Sequence, residues 1–159
     1  MSQIKIIAAM TPLGIIGNRN TLPWEKSDVP GELAWFKEAT LGSVVIMGRN
    51  TWDSFPPAYR PLLGRINVII SHTLTTAEGA IIFAGLEGAL QAYANVDVWI
   101  IGGAQLYAQA LPQTDELYLT VIDEEFKGDV YFPKFKNNFI YSETVKNGKG
   151  WHVEKWVKK

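Results

Sequence analysis

The sequence predicts an α/β fold: an eight-stranded, mainly parallel sheet with an antiparallel C-terminal edge strand, flanked by four helices. Three observations carry that expectation. Five short runs rich in Ile and Val are almost continuously apolar, as strands are when both faces are covered. Stretches of helical periodicity lie between most of them, so successive strands need crossover connections and run parallel. The last third of the chain changes to alternating segments around an Asn-Gly pair, a strong short-range hairpin signal.

In chain order the buried runs are Ile4–Met10, 43–47, 66–71, 80–83 and 96–101. The helices are 30–40, with Pro30 suited to a first turn and Gly42 beyond the end, then 48–54, 87–94 and 104–111, the last stopped by Pro112. Strands at 116–122, 139–145 and 151–157 complete the sheet, the last two joined through Lys146-Asn147-Gly148-Lys149-Gly150. Pro56-Pro57 and Pro61 mark a stiff loop. No repeat, low-complexity tract or linker divides the chain, so residues 1–159 read as a single domain.

Composition removes several function classes. Hydrophobic residues make up 47% and charged residues 19%, which excludes a disordered chain. A net charge of −1 gives no electrostatic reason for a nucleic-acid or anionic-membrane partner. With no cysteine there are no disulfides, no thiol catalysis and no zinc–thiolate site. Two histidines, His72 and His152, undersupply both a metal cluster and a Ser-His-Asp triad, so no metal is expected. The N-terminal apolar run is too short to span a membrane and lacks a basic flank, which points to a cytoplasmic setting.

Five segments hold residues suited to chemistry. In the first helix, Glu32, Trp35, Phe36 and Ala39 share one face, while Lys37 and Glu38 point elsewhere. A carboxyl beside two rings has its charged form disfavoured, which suits a proton donor or substrate anchor; an exposed first-turn Glu is the plainer alternative. At Ile101-Gly102-Gly103-Ala104 a strand runs through two glycines into a helix, open to a phosphate or simply a tight turn. Gly48-Arg49-Asn50-Thr51 repeats the arrangement with an arginine that an anion would complement, or that is merely a surface residue. Two such junctions suit a dinucleotide with several phosphates. Arg65 can fork onto a ligand carboxylate or stay solvated. The loop 11–26, with Ile16-Gly17-Asn18-Arg19-Asn20-Thr21-Leu22-Pro23-Trp24, is long for a compact domain and reads as a lid or binding loop. Leu22 and Trp24 should pack either on the core or over a ligand.

Taken together and in order, these segments resemble the dihydrofolate reductase family. The match runs through Ile7-Ala8-Ala9, 14–24 with Leu22-Pro23-Trp24, Glu32 to Phe36, 45–52 with Gly48-Arg49-Asn50-Thr51-Trp52, Arg60 to Arg65, 101–107 with Ile101-Gly102-Gly103, 117–123 and Gly128-Asp129-Val130-Tyr131-Phe132-Pro133, nearly the whole chain. The resemblance implies NADPH as cofactor, dihydrofolate as substrate, antifolates as inhibitors and a monomer. It gives Glu32 the pteridine edge, with Thr120 bonding into the same acidic site and Trp24 ordering a water there. Leu22 would close over the nicotinamide. Ile7, Ala9, Leu33, Phe36, Phe55, Leu62 and Ile101 would wall the folate pocket, and Arg65 would pair with the glutamate tail. Arg49, Thr51, Gly102 and Gly103 would bind the cofactor phosphates, and Gly48, Asn50, Ala104, Gln105 and Leu106 would also line the cofactor site. Ser71 and His72 would lie beside the adenosine and Tyr107 near the nicotinamide, with Ala9, Ile16, Gly17 and Ile101 also binding the cofactor.

Chemistry agrees with those roles. Hydride transfer to C6 needs an electrophilic N5=C6 bond, hence a proton at N5, which a partly buried carboxyl favours. The chain also departs from familiar bacterial members. It has Glu32 where many have Asp, longer stretches at 25–31 and 56–59, and Ala104-Gln105 where a third glycine and an arginine are common. NADPH over NADH then rests mainly on Arg49, with His72 beside it. A riboflavin-pathway reductase of the same fold would lack the Glu32–Arg65 combination, and a pterin-binding module without activity would need neither Glu32 nor a closing loop.

Overall fold

The computed structural model describes residues 2–18 and 21–159, so Arg19 and Asn20 of the expected loop lie outside the described residues. In chain order the elements are β1 (Ile4–Met10), β2 (Ile15–Gly17), α1 (Glu32–Thr40), β3 (Val44–Gly48), α2 (Arg49–Ser54), β4 (Ile66–Ile70) and β5 (Ala80–Phe83). They continue with α3 (Leu86–Ala92), β6 (Val98–Gly102), α4 (Ala104–Ala110), β7 (Glu116–Ile122), β8 (Val130–Tyr131), β9 (Phe139–Gly148) and β10 (Trp151–Lys158). Eight strands form one sheet in the order β5-β4-β3-β6-β1-β7-β10-β9. All its neighbours are parallel except where β10 pairs antiparallel with β7 and β9, so the antiparallel edge is a hairpin with β9 outermost.

Period-two alternation sorts the apolar strands into two covered faces. Ile6, Ala8, Val44, Ile46, Val98, Ile100, Leu117 and Leu119 join α3 and α4 in one core layer. Ile7, Val45, Met47, Ile69, Trp99 and Ile101 face the other way, with Phe36 and Ala39 of α1 and Trp52 of α2. This is the doubly covered sheet that near-continuous apolar runs imply.

Some local expectations need correcting. The hairpin turn is Lys149-Gly150, not Asn147-Gly148: Asn147 pairs with His152 and Gly148 with Trp151. Gly150, at φ +84°, takes the left-handed position the two-residue turn requires. Gly148 has a different reason to be glycine, because a Cβ there would fall 2.0 Å from the Trp151 indole. Pro30 precedes α1, whose N-cap is Gly31. The long loop is not irregular throughout, since β2 pairs with β8 in a small ribbon.

Candidate active site

The direction of chain travel reverses around β1. The connection through α1 leads to β3, β4 and β5 on one side, and the return through α3 and α4 places β6 beside β1 and β7 beyond it. In such sheets the crevice at the carboxyl ends of the central strands is where ligands bind. Ala9, Gly48, Gly102, Thr120 and Ser71 all lie at or just past those ends.

One half of the cleft is built from side chains. Glu32 opens α1 and is largely buried, and burial raises its pKa above the ordinary carboxyl value. Its N–H donates to the Val29 carbonyl at 3.2 Å, and its carboxyl has no hydrogen-bond or ion-pair partner among the described residues. Trp35 and Phe36, on the same helix face, pack into the sheet, while Leu33 is 50% exposed. Ile7, Phe36, Phe55, Leu62 and Ile101 meet in one cluster. Ala9 and Trp24 belong to the adjoining cluster, which also holds Trp35. Trp24 is 5% exposed and Leu22 60%, so the core takes the tryptophan and leaves the leucine facing out. Thr120 pairs in register with Ala9, and its Oγ1 is buried without a hydrogen-bond partner among the described residues. An unpaired buried hydroxyl costs about 1–3 kcal/mol, so this one is poised to bond a polar atom entering the cleft.

Arg65 closes this half at the far end. Its Nε donates to the Leu63 carbonyl at 3.0 Å and its Nη1 to Thr40 Oγ1 at 3.2 Å, while Thr40 donates to the Phe36 carbonyl at 2.8 Å. No carboxylate lies within ion-pair distance of Arg65 among the described residues, and burial pulls its pKa below the ordinary arginine value. The fork is therefore aimed and partly desolvated, with its charge unmatched.

The other half is built from backbone. Gly48 ends β3 and Gly103 caps α4, and a Cβ on Gly48 would lie 3.8 Å from the Gly102 carbonyl, so the two strand-to-helix junctions are neighbours. The Gly102–Gly103 peptide is cis and Gly102 has φ +130°. A Cβ on Gly102 would stand 3.3 Å from Thr51 Oγ1 and 3.4 Å from the Tyr107 hydroxyl, filling the cradle between them. Tyr107 is buried and donates to the Ile7 carbonyl at 2.9 Å. Burial, and secondarily the charge of Glu32, pushes its phenol well up, so it stays protonated. Leu106 turns into the core and can offer a ligand only its backbone; Asn50 and Gln105 are exposed. Ile16 packs on the core, and Gly17 accepts from the Asp129 N–H at 3.0 Å.

Arg49 is less free than the sequence implied. Its Nε meets Asp53 at 3.4 Å and its Nη1 donates to Thr73 Oγ1 at 3.0 Å. The Ser71 hydroxyl accepts from the N–H groups of Thr73 and Leu74, which folds the 71–74 turn with exposed His72 at its tip. Arg49, Ser71 and His72 are thus brought to one rim. Sequence reasoning missed Thr40, Asp53, Asn67 and Thr73. Asn67, a polar residue inside an apolar strand, and Asp53, four residues after Arg49 on one helix, offered a signal.

Fold and crevice together are those of an α/β protein with a topological switch point at the carboxyl ends of its central strands. The family model described as dihydrofolate reductase matches residues 3–152. Dihydrofolate reductase type 3 of Salmonella typhimurium is 43% identical over 134 residues, covering 83% of this chain and 79% of the relative. The dihydrofolate reductases of Haemophilus influenzae (41% over 130 residues, 81% and 78%) and Neisseria gonorrhoeae (43% over 136 residues, 84% and 81%) are similar to the same extent. The chain belongs to the dihydrofolate reductase family, and is an oxidoreductase of folate metabolism in a family that uses a nicotinamide cofactor.

Proposed function

We propose that this protein reduces 7,8-dihydrofolate to 5,6,7,8-tetrahydrofolate with NADPH, by hydride transfer to C6 and protonation at N5. The observation that carries this is Glu32, a largely buried carboxyl with no hydrogen-bond or ion-pair partner among the described residues, raised in pKa by its burial. Such a group is suited to grip the amino and N3 edge of a pteridine and to favour the protonated N5. The orphaned Thr120 hydroxyl offers a second bond in the same place. Ile7, Ala9, Leu33, Phe36, Phe55, Leu62 and Ile101 supply an apolar slot for the rings, and Arg65 a bidentate partner for the glutamate carboxylate.

The residues of the other half suit NADPH. Gly48, Gly102 and Gly103 let phosphates approach the backbone, where any Cβ on Gly102 would crowd Thr51 and Tyr107. Thr51, Ala104, Gln105 and Leu106 add donors at the same junctions, and Arg49 with Ser71 and His72 offers the charge that discriminates a phosphorylated ribose. When bound, NADPH supplies the hydride. The protein orients the two rings and excludes water, with Trp24 fixed in the core and Leu22 free to close over them.

We take residues 1–159 as one catalytic domain, working as a cytoplasmic monomer open to antifolates; no helix among the described residues is long and apolar enough to cross a membrane. The direct test mixes purified protein, NADPH and dihydrofolate and follows loss of reduced-nicotinamide absorbance. Loss that requires dihydrofolate and stops with an antifolate is the expected result. No loss in folded protein that binds NADPH would overturn the reading.

A further inference from the structure

Arg65 sits on a loop, and a loop alone would let its guanidinium wander. Asn67 removes that freedom. It is the second residue of β4, 2% exposed, and the one polar side chain in Ile66-Asn67-Val68-Ile69-Ile70. Its Oδ1 accepts from the Leu62 N–H at 2.9 Å, while its Nδ2 donates to the Leu62 carbonyl at 2.9 Å and the Arg65 carbonyl at 3.1 Å. One carboxamide therefore grips both ends of the 62–65 turn, pairing with Leu62 as a neighbouring strand would. Gly64, at φ +74°, completes the turn, and its carbonyl accepts from the Gly42 N–H at 2.8 Å.

The arginine's own anchor depends on that grip. Arg65 Nε donates to the Leu63 carbonyl, inside the turn, before its Nη1 reaches Thr40 on α1. A buried amide is costly unless its polar atoms are bonded. Here all three bonds go to this one turn, and none serves the sheet. A valine would suit the strand better.

We propose that Asn67 is a positioning residue for the substrate, holding the 62–65 turn so that the Arg65 guanidinium is pre-aimed at the carboxylate of the glutamate tail. This rests on the assignment of Arg65 to that carboxylate. Asn67 acts through Arg65 and touches neither substrate nor cofactor.

The test compares two substrates: dihydrofolate, and 6-methyl-7,8-dihydropterin, which has the ring but no tail. Asn67→Asp keeps the size and the acceptor but loses both donations, and Asn67→Ser is a second variant that withdraws the grip without adding charge. For either, the KM for dihydrofolate should rise about tenfold, the loss expected when a charge-assisted bond is misaligned. Turnover at saturation and both constants for the dihydropterin should stay unchanged. In an Arg65→Gln background the Asn67 substitutions should add nothing. Parallel loss of turnover on both substrates would reduce Asn67 to a purely structural role and overturn the proposal, as would an unchanged KM for dihydrofolate. If Arg65→Gln alone left that KM unchanged, the assignment of Arg65 would fall and this inference with it. If Arg65→Gln raised the KM and the Asn67 variants did not, only this inference would fall.

Discussion

Arg49, at the strand-to-helix junction after β3, and Arg65, on the turn before β4, are held in opposite ways. Arg49 is half exposed and already has a counter-charge in Asp53. Arg65 is more buried, rests on a carbonyl and a hydroxyl, and has no carboxylate among the described residues. The first is a surface pair that can exchange one anion for another. The second is a partly desolvated cation without a counter-charge, which gains most when an anion of the right shape arrives. The glycine-built half of the cleft should thus bind adaptably and with strong salt dependence, and the side-chain-built half rigidly and with less.

The largest effect should come from the buried half. If the proposed reaction holds, Glu32→Gln removes the charge that favours a protonated N5, so turnover at neutral pH should fall about a hundredfold, with partial recovery at low pH where the substrate protonates unaided. Cofactor binding should be unchanged. Stability should move the other way. The folded carboxyl has a raised pKa, so its burial costs nothing below the unfolded pKa and most above the folded one. Thermal denaturation should therefore show the Gln variant gaining relative to wild type as pH rises through the folded pKa, and the gap closing in acid. Unchanged turnover would remove Glu32 from the mechanism and leave the two halves chemically alike.

Next comes the exposed arginine. Arg49→Gln should weaken NADPH binding about tenfold at low ionic strength, measured by fluorescence titration, and distinctly less at high salt. Dihydrofolate binding through Arg65 should lose much less affinity over the same salt range. Equal salt slopes for the two ligands would break the contrast between an exchangeable and a committed arginine.

How much of this was written locally explains what the sequence did and did not reveal. β1, β5 and β7 were legible to the residue because apolar runs between turn residues need only short-range pattern. The buried face of α1 was legible from the 32, 35, 36, 39 spacing. The β2–β8 ribbon was not, since strands of three and two residues leave no period to read. The turn at Lys149-Gly150 was misplaced because Asn147-Gly148 satisfies the same local rule, and only the Trp151 indole lying over Gly148 decides between them. Within the site, residue types were visible and their holders were not. Thr40 lies 25 residues before Arg65 and Thr73 lies 24 after Arg49, distances at which a sequence carries no pairing signal.

Asp53 offers the finest test of the contrast. It stands between two arginines, 3.4 Å from Arg49 and 3.8 Å from Arg60, while Arg60 stacks over Trp52 and donates to its carbonyl at 3.1 Å. Exposed pairs of this kind are worth about 0–1 kcal/mol, so Asp53→Asn should leave the fold intact. If Asp53 competes with a cofactor phosphate for Arg49, its neutralisation should tighten NADPH binding about two- to threefold without altering the KM for dihydrofolate. Weaker NADPH binding would instead mean that Asp53 orients Arg49 as Asn67 orients the turn of Arg65. The two ends of the cleft would then follow one design, and only their exposure would differ.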